Sequence, residues 1–124
     1  MPLTGLPREE VTNLAKKMNK TDKEKLQTVL ERFKLYPAMR EYLELMPEVD
    51  KEEWQKLDRL KAELLALTEK LGFCKERTVI ESKFIFDKSR RTICRDMLIS
   101  EETFIKLYRK GMLQLYDIIA DENK

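Results

Sequence analysis

Five leucines in the middle of the chain constrain its fold more than any other feature. They recur at alternating spacings of three and four residues, which places them on one face of an α-helix. They are Leu57, Leu60, Leu64, Leu67 and Leu71. Asp50 with Glu53 has the pattern of a capping box, and Gly72 is a typical helix end. The sequence therefore predicts one helix over residues 51–71.

This leucine seam has to pack against another surface. Two heptads are too short to form a stable coiled coil on their own. Helix bundles use the same spacing, so the chain's own upstream helices are one candidate. The other candidate is a second copy of the chain, in which case the seam is the surface of a homodimer or a partner complex. The sequence leaves both alternatives open.

The rest of the chain is also predicted to be helical. Its 124 residues include only 3 Gly and 4 Pro, too few for many tight β-turns, and 42% are hydrophobic, enough for a core. A short helix is predicted within the first 20 residues, and residues 21–24 form a capping box that opens a longer helix. Pro37 is expected to kink or restart this helix, and Pro47 to end it.

Several functional classes are disfavoured by what the sequence lacks. It contains no histidine, and Cys74 and Cys94 lie 20 residues apart, so no zinc site or disulfide scaffold is predicted. There is also no glycine-rich phosphate loop, and we expect no enzyme, no metal, no cofactor and two free thiols. No apolar run approaches the roughly 20 residues of a membrane span, and the first 20 residues lack a secretory signal. These features favour a cytoplasmic protein without a membrane partner.

Basic residues are concentrated in one stretch of the C-terminal half. The window 83–110 holds eight Lys and Arg against four Asp and Glu, whereas the net charge of the whole chain is only +2. The basic residues are Lys83, Lys88, Arg90, Arg91, Arg95, Lys106, Arg109 and Lys110. Such clustering is typical of nucleic-acid-binding elements, although a solvated helical face gives the same pattern.

Three short helical segments are predicted around this basic window. The first occupies residues 76–87. Ser89 is a favourable N-cap for a second helix that ends near Met97. Ser100 is an N-cap for a third helix, and the acidic residues at 101–102 suit its positive end. A pair of helices joined by a tight turn and preceded by a third helix is a helix-turn-helix.

The order of apolar, capping and small residues in this region also matches a known pattern. It runs Glu76-Arg77-Thr78-Val79-Ile80, Phe84, Ser89, Ile93-Cys94, Met97, Ile99-Ser100, Thr103-Phe104, Leu107, Gly111-Met112 and Leu115. This string, about a third of the chain, resembles the region-four DNA-binding domain of bacterial sigma factors. It is also similar to the end of the ArpU and RinA type late-gene activators of Gram-positive phages and prophages. Those activators have a similar length and a variable helical N-terminal half.

Two positions depart from the pattern of this family. Leu98 stands where the family usually has Gly or Asn in the turn, a position that often requires a positive φ. Either this turn is built differently or strain is tolerated there. Cys94 takes the place of a packing Ala, which suits a small buried thiol.

The resemblance implies an all-α protein in two parts. Residues 1–74 are expected to form a helical N-terminal bundle for dimerisation or partner binding. Residues 75–124 are expected to form a sigma region-four-like helix-turn-helix that binds double-stranded DNA. Such a protein would be a transcriptional regulator of phage or prophage type, and the resemblance implies RNA polymerase as a further partner.

The helix that starts near residue 101 is expected to enter the major groove with its N-terminus leading. The candidate base-reading residues are then Glu101, Glu102, Ile105, Lys106 and Arg109. The candidate phosphate-binding residues are Ser89, Arg90, Arg91, Arg95, Thr103 and Lys110. A different class of function is the alternative: a helical adaptor that binds RNA polymerase or another protein rather than DNA.

Overall fold

The computed structural model describes residues 20–46 and 48–122 of the chain. All regular secondary structure in these ranges is α-helical, as predicted. The helices are α1 (Lys20–Leu45), α2 (Lys51–Glu69), α3 (Lys75–Phe84), α4 (Arg90–Met97) and α5 (Glu101–Glu122). None of these helices has both the length and the apolar character needed to cross a membrane. The short helix predicted near the N-terminus lies outside the described residues.

Helix α1 continues through Pro37, so of the kink or restart predicted there, the restart does not occur. A proline inside a helix costs about 3 kcal/mol, because it removes one backbone hydrogen bond and crowds the preceding turn. Phe33 and Tyr36 on one side of it and Leu43 on the other are buried in the core. Burying each such side chain contributes about 1.5–3 kcal/mol, which offsets the cost of the proline. The helix ends at Leu45, before Pro47, as predicted.

Helix α2 begins and ends close to the predicted positions. Asp50 is its N-cap in an extended conformation, but the Asp50 carboxylate makes no capping hydrogen bond. The carbonyl of Asp50 accepts a hydrogen bond from the Glu53 N–H at 3.0 Å. After Glu69 the chain turns at Gly72, whose φ of +82° is a left-handed conformation that glycine adopts without strain.

The leucine seam of α2 packs inside this chain. Leu57, Leu64 and Leu67 are buried, and Leu60 and Leu71 are partly buried against the same core. The side chains that α1 contributes to this core are Val29, Phe33, Tyr36 and Leu43. Of the two alternatives left by the sequence, the seam follows the first, packing against the chain's own upstream helix. These leucines are therefore not an exposed dimer or partner surface.

Two apolar clusters hold the helices together. The larger core joins α1, α2, α3 and α5, and its buried members are Val29, Phe33, Tyr36, Leu43, Leu57, Leu64, Leu67, Ile80, Phe84, Ile85, Met112 and Leu115. The smaller core lies between α3, α4 and α5 and consists of Val79, Ile93, Cys94 and Phe104. Because the larger core uses residues on both sides of position 74, the two parts of the chain share it. Their division into functional domains stays a prediction.

Helices α3 and α5 approach each other closely at Gly111. A Cβ atom on Gly111 would lie 2.6 Å from Ile80 Cδ1 and 3.1 Å from Glu76 Cβ, so a larger residue would displace its neighbours. Tyr108, one turn earlier, packs against both cores, and its ring stacks on Phe104 at a centroid distance of 6.2 Å. Burial raises the pKa of Tyr108 to about 12, which keeps the phenol protonated. These contacts fix α5 to the bundle behind its first turns.

Candidate nucleic-acid interface

The candidate interface consists of α4, the turn at residues 98–100 and the first turns of α5. Both helices begin at the serine that the sequence predicts. The Thr92 N–H donates to Ser89 Oγ at 3.1 Å, and the Thr103 N–H donates to Ser100 Oγ at 3.1 Å. These bonds satisfy backbone donors that a helix start otherwise leaves unpaired. Both helix starts are therefore determined by contacts within three residues.

The hydroxyl group of each capping serine also donates a hydrogen bond to the threonine hydroxyl three residues later. Ser89 Oγ donates to Thr92 Oγ1 at 2.9 Å, and Ser100 Oγ donates to Thr103 Oγ1 at 3.0 Å. Ser89 and Thr103, the two hydroxyl candidates for phosphate binding, are both exposed. They remain accessible to a phosphate while they stabilise the helix starts.

The turn between α4 and α5 places a leucine in the left-handed region. Leu98 has φ 57° and ψ 47°, at the position where the sigma-factor pattern has Gly or Asn. The Leu98 N–H donates to the Arg95 carbonyl at 3.3 Å, and the Ile99 N–H donates to the Cys94 carbonyl at 3.0 Å. This pair of bonds closes the end of α4 in a Schellman motif. The turn therefore has the left-handed conformation of the pattern, and placing Leu98 in it costs about 1–2 kcal/mol of conformational strain.

The smaller core holds α4 against α5 beneath this turn. Ile93 and Cys94 of α4 and Phe104 of α5 are buried together with Val79 of α3. The Cys94 Sγ–H donates to the Ser100 carbonyl at 3.8 Å. Burial raises the pKa of the Cys94 thiol, so the thiol stays protonated and acts as a packing group. Both cysteines are free, as predicted.

The candidate base-reading residues differ in exposure. Glu101, Glu102 and Lys106 are exposed at the start of α5, whereas Ile105 and Arg109 are half-buried. Ile105 packs against the smaller core, so only part of its side chain faces away from the protein. The structure therefore brings the five residues to one end of α5, but three of them are more accessible than the other two.

Ion pairs connect the exposed residues of this surface. Lys106 Nζ lies 3.3 Å from Glu102 Oε1 within α5. Arg90 Nε lies 3.7 Å from Glu101 Oε1 and joins the start of α4 to the start of α5. Exposed pairs of this kind contribute less than about 1 kcal/mol each, so a ligand displaces them at little cost. Arg109 forms no ion pair with any residue that the structure describes.

The remaining basic candidates lie on α4 and α5. Arg91 and Arg95 are exposed; Arg95 Nε is 3.5 Å from Asp96 Oδ1, and Arg91 forms no ion pair within residues 20–46 and 48–122. Lys110 Nζ lies 3.3 Å from Glu76 Oε2, which ties α5 to α3 while the lysine side chain stays 65% exposed. A hydrogen bond from its own backbone and the pairing with Lys110 hold the pKa of Glu76 below its usual range.

Arg40 of α1 is a positioning residue that no sequence pattern indicated. Its guanidinium donates to the Ile85 carbonyl at 3.2 Å, lies 3.2 Å from Asp87 Oδ2 and covers the Tyr36 ring at 5.4 Å. Asp87 has a φ of 52°, so Arg40 holds the left-handed residue in the connection that leads into α4. Arg40 and Ile85 are 45 positions apart, too far for a local pattern to reveal the contact.

Comparisons with protein-family models, with curated proteins and with solved structures give no match for this chain. The chemical groups of the surface itself indicate which kind of ligand it could bind. It combines exposed guanidinium and ammonium groups with two carboxylates around the start of one helix. Cations of this kind bind phosphates, and carboxylates at a helix start can accept hydrogen bonds from cytosine amino groups.

Proposed function

We propose that this protein is a sequence-specific DNA-binding transcriptional regulator that reads the major groove with the start of α5. The observation that supports this most is the pair of serine-capped helix starts, which present Lys106 on α5 and Arg91 and Arg95 on α4 to solvent. The resemblance of this region to region four of sigma factors, and to phage and prophage activators, favours the same function.

Sequence readout would come from the exposed first turns of α5. Lys106 and Arg109 would donate to guanine N7 and O6, and Glu101 or Glu102 would accept from a cytosine amino group. The exposed part of Ile105 would contact a thymine methyl group. Phosphate contacts would come from the residues predicted for them, Ser89, Arg90, Arg91, Arg95, Thr103 and Lys110.

A single helix-turn-helix contacts too little DNA for tight specific binding, so a second source of affinity is part of the proposal. Either a second copy of the chain or RNA polymerase would supply it. The leucine seam is buried in the larger core, so either partner would use a different surface. The mass of the free protein in solution distinguishes the two, because a dimer predicts paired half-sites about one helical turn apart or a multiple of it.

The test of DNA binding starts with selection from a randomised duplex library, using the full chain. Binding of the selected duplex is then measured by fluorescence anisotropy over a series of KCl concentrations. Contact with about four phosphates predicts a slope of log K against log [KCl] near about −3.6. If no sequence is enriched and no salt-dependent binding to any duplex is found, the proposal is wrong.

Two variants separate phosphate contact from base reading. Arg91→Gln should reduce the size of the slope by about 0.9 and weaken binding to all sequences alike. Lys106→Ala should instead cost about 1–3 kcal/mol on the selected site only. Arg59→Gln is the matched control, because it removes one exposed charge from α2 outside the interface. Equal effects of Arg59→Gln and Arg91→Gln would mean that only the net charge matters.

The alternative function, a helical adaptor that binds RNA polymerase or another protein, is favoured by a second apolar face on α1. Leu35, Tyr42 and Leu45 are exposed there, at spacings of seven and three residues. Under this alternative, Tyr42→Lys would abolish function in cells while Lys106→Ala would have no effect. Under the proposed function, Lys106→Ala impairs regulation.

A further inference from the structure

A pocket of about 380 Å³ lies where α1 ends and α2 begins. None of the described residues that line it belongs to the candidate nucleic-acid interface. Its apolar lining includes Leu43, which is buried in the larger core, and Val49, which packs against that core. Tyr42 and Met46 also line it, and they stay 61% and 43% exposed. The pocket therefore offers apolar surface that the chain's own core does not cover.

Three carboxylates complete the lining of the pocket, those of Glu48, Asp50 and Glu53. Glu53 is paired with Lys56 at 3.2 Å. The carboxylates of Glu48 and Asp50 form no ion pair or hydrogen bond with any residue that the structure describes. The surrounding sequence does not offset their charge, because residues 41–53 hold six Asp and Glu against one Lys. The pocket thus carries uncompensated negative charge.

The end of α1 adds to this negative potential. The last carbonyl groups of a helix carry partial negative charge, which a basic side chain in the last turn usually offsets. The last turn of α1 contains no basic residue, and Tyr42 and Leu43 in that turn line the pocket. Free carboxylates and an uncapped helix end are two separate features that favour a cation in the pocket. The same charges repel an anion such as DNA.

We infer that this pocket docks a short basic segment of a partner protein. An apolar side chain of that segment packs beside Tyr42 and Met46, and its Lys or Arg side chains pair with Glu48 and Asp50. The apolar contact supplies most of the affinity, while the charge pairs at the rim orient the segment and speed its association. The inference goes beyond the proposed function, because this docking requires no DNA and leaves the candidate nucleic-acid interface free.

The test starts with selection of short random peptides, displayed on phage, against the immobilised full chain. The enriched peptides should combine Lys or Arg with a large apolar residue. One of them is then synthesised with a fluorescein label, and its Kd is measured by anisotropy. Trp54, the only tryptophan of the chain, follows Glu53 directly and provides a second fluorescence signal. If no peptide is enriched, or if the enriched peptides lack basic residues, the inference is wrong.

Variants then show whether the peptide occupies the pocket. The double variant Glu48→Gln with Asp50→Asn should weaken peptide binding about tenfold, because each exposed ion pair contributes up to about fivefold. Met46→Ser should weaken it about fivefold or more through the lost apolar contact. The matched control is Asp58→Asn with Glu63→Gln, which makes the same charge change at exposed positions of α2 outside the pocket. This control should bind the peptide like the wild-type chain.

The remaining outcomes identify other occupants and keep this inference separate from the proposed function. Equal losses in the pocket variant and its control would mean that only net charge matters, which contradicts a docking pocket. A wild-type dimer that the pocket variant converts to a monomer would place a second copy of the chain there, and the inference would again be wrong. The pocket variant and its control should bind the selected duplex equally, so failure of DNA binding leaves the peptide result unaffected. Circular dichroism melts of all variants should match the wild type, because the substituted side chains are exposed.

Discussion

The larger and the smaller core differ in how their residues are distributed along the chain. The larger core joins residues from Val29 to Leu115 and involves four helices. The smaller core joins residues between Val79 and Phe104 and has four buried members among the residues that the structure describes. The larger core therefore contributes most of the stability of the fold, while the smaller core sets the relative position of α4 and the start of α5. Substitutions in the two regions should have different consequences.

The largest effect is expected for Leu64→Ala in the larger core. Leu64 is completely buried, so truncation should lower the free energy of unfolding by about 2–5 kcal/mol. Urea denaturation followed by circular dichroism measures this change. Leu45→Ala is the control: Leu45 is 75% exposed, and its truncation should change stability by less than about 0.5 kcal/mol. Similar losses for both variants would contradict the assignment of the larger core.

A smaller loss is expected where α3 crosses α5. Gly111→Val introduces a branched side chain at a position where even a Cβ atom would lie 2.6 Å from Ile80 Cδ1. Overpacking of this kind should cost about 1–3 kcal/mol in the same denaturation experiment. Ala66→Val at an exposed position of α2 controls for helix propensity and should cost only about 0.5 kcal/mol. If Gly111→Val and Ala66→Val lower the free energy of unfolding equally, α3 and α5 can move apart at little cost, which contradicts the close contact at Gly111.

Next in size is the loss of the cap at the start of α5. Ser100→Ala removes the acceptor of the Thr103 N–H and should lower the free energy of unfolding by about 1 kcal/mol. Fraying of this helix start should also weaken DNA binding in the anisotropy titration. Ser100→Asn keeps a capping oxygen without adding charge, so it should retain both stability and affinity. Weak binding by the Asn variant would show that the hydroxyl itself contacts the ligand.

The smallest effect is expected at the turn above the smaller core, and its sign is reversed. Leu98→Gly relieves about 1–2 kcal/mol of left-handed strain but adds about 0.5–1 kcal/mol of backbone entropy to the unfolded chain. The net result should be a gain of between 0 and about 1.5 kcal/mol in a thermal melt. Leu98→Ala keeps the Cβ atom and the strain, and should bring no such gain. A gain from alanine would mean that the exposed leucine side chain, rather than its backbone, is unfavourable.

The same kind of sequence signal had different outcomes in different parts of the chain. Ser89, Ser100 and Gly72 marked helix boundaries that the structure contains within one or two residues. Pro37 predicted a kink or a restart of the helix, and the restart does not occur, because buried side chains on both sides of it keep α1 continuous. Local signals were reliable where the interacting atoms lie close in sequence, and failed where packing outweighed them.

Apolar periodicity likewise did not determine which face is buried. The leucine seam of α2 is buried in the chain's own core, while Leu35, Tyr42 and Leu45 also recur at helical spacing on α1 and are exposed. Periodicity identifies a helix and its apolar face, but the burial of that face depends on where the other helices lie. The candidate DNA-binding residues were predicted from spacing, and their role in binding stays a prediction.

The sequence by itself determined the all-helical class, the starts of α4 and α5 and the end of α2. Each of these depends on backbone groups satisfied by atoms a few residues away, or on glycine's freedom at positive φ. Only the tertiary structure decided that the leucine seam packs internally and that Arg40 holds the connection into α4. Those contacts join residues tens of positions apart, and they exist only because burial of apolar surface brings separate helices together.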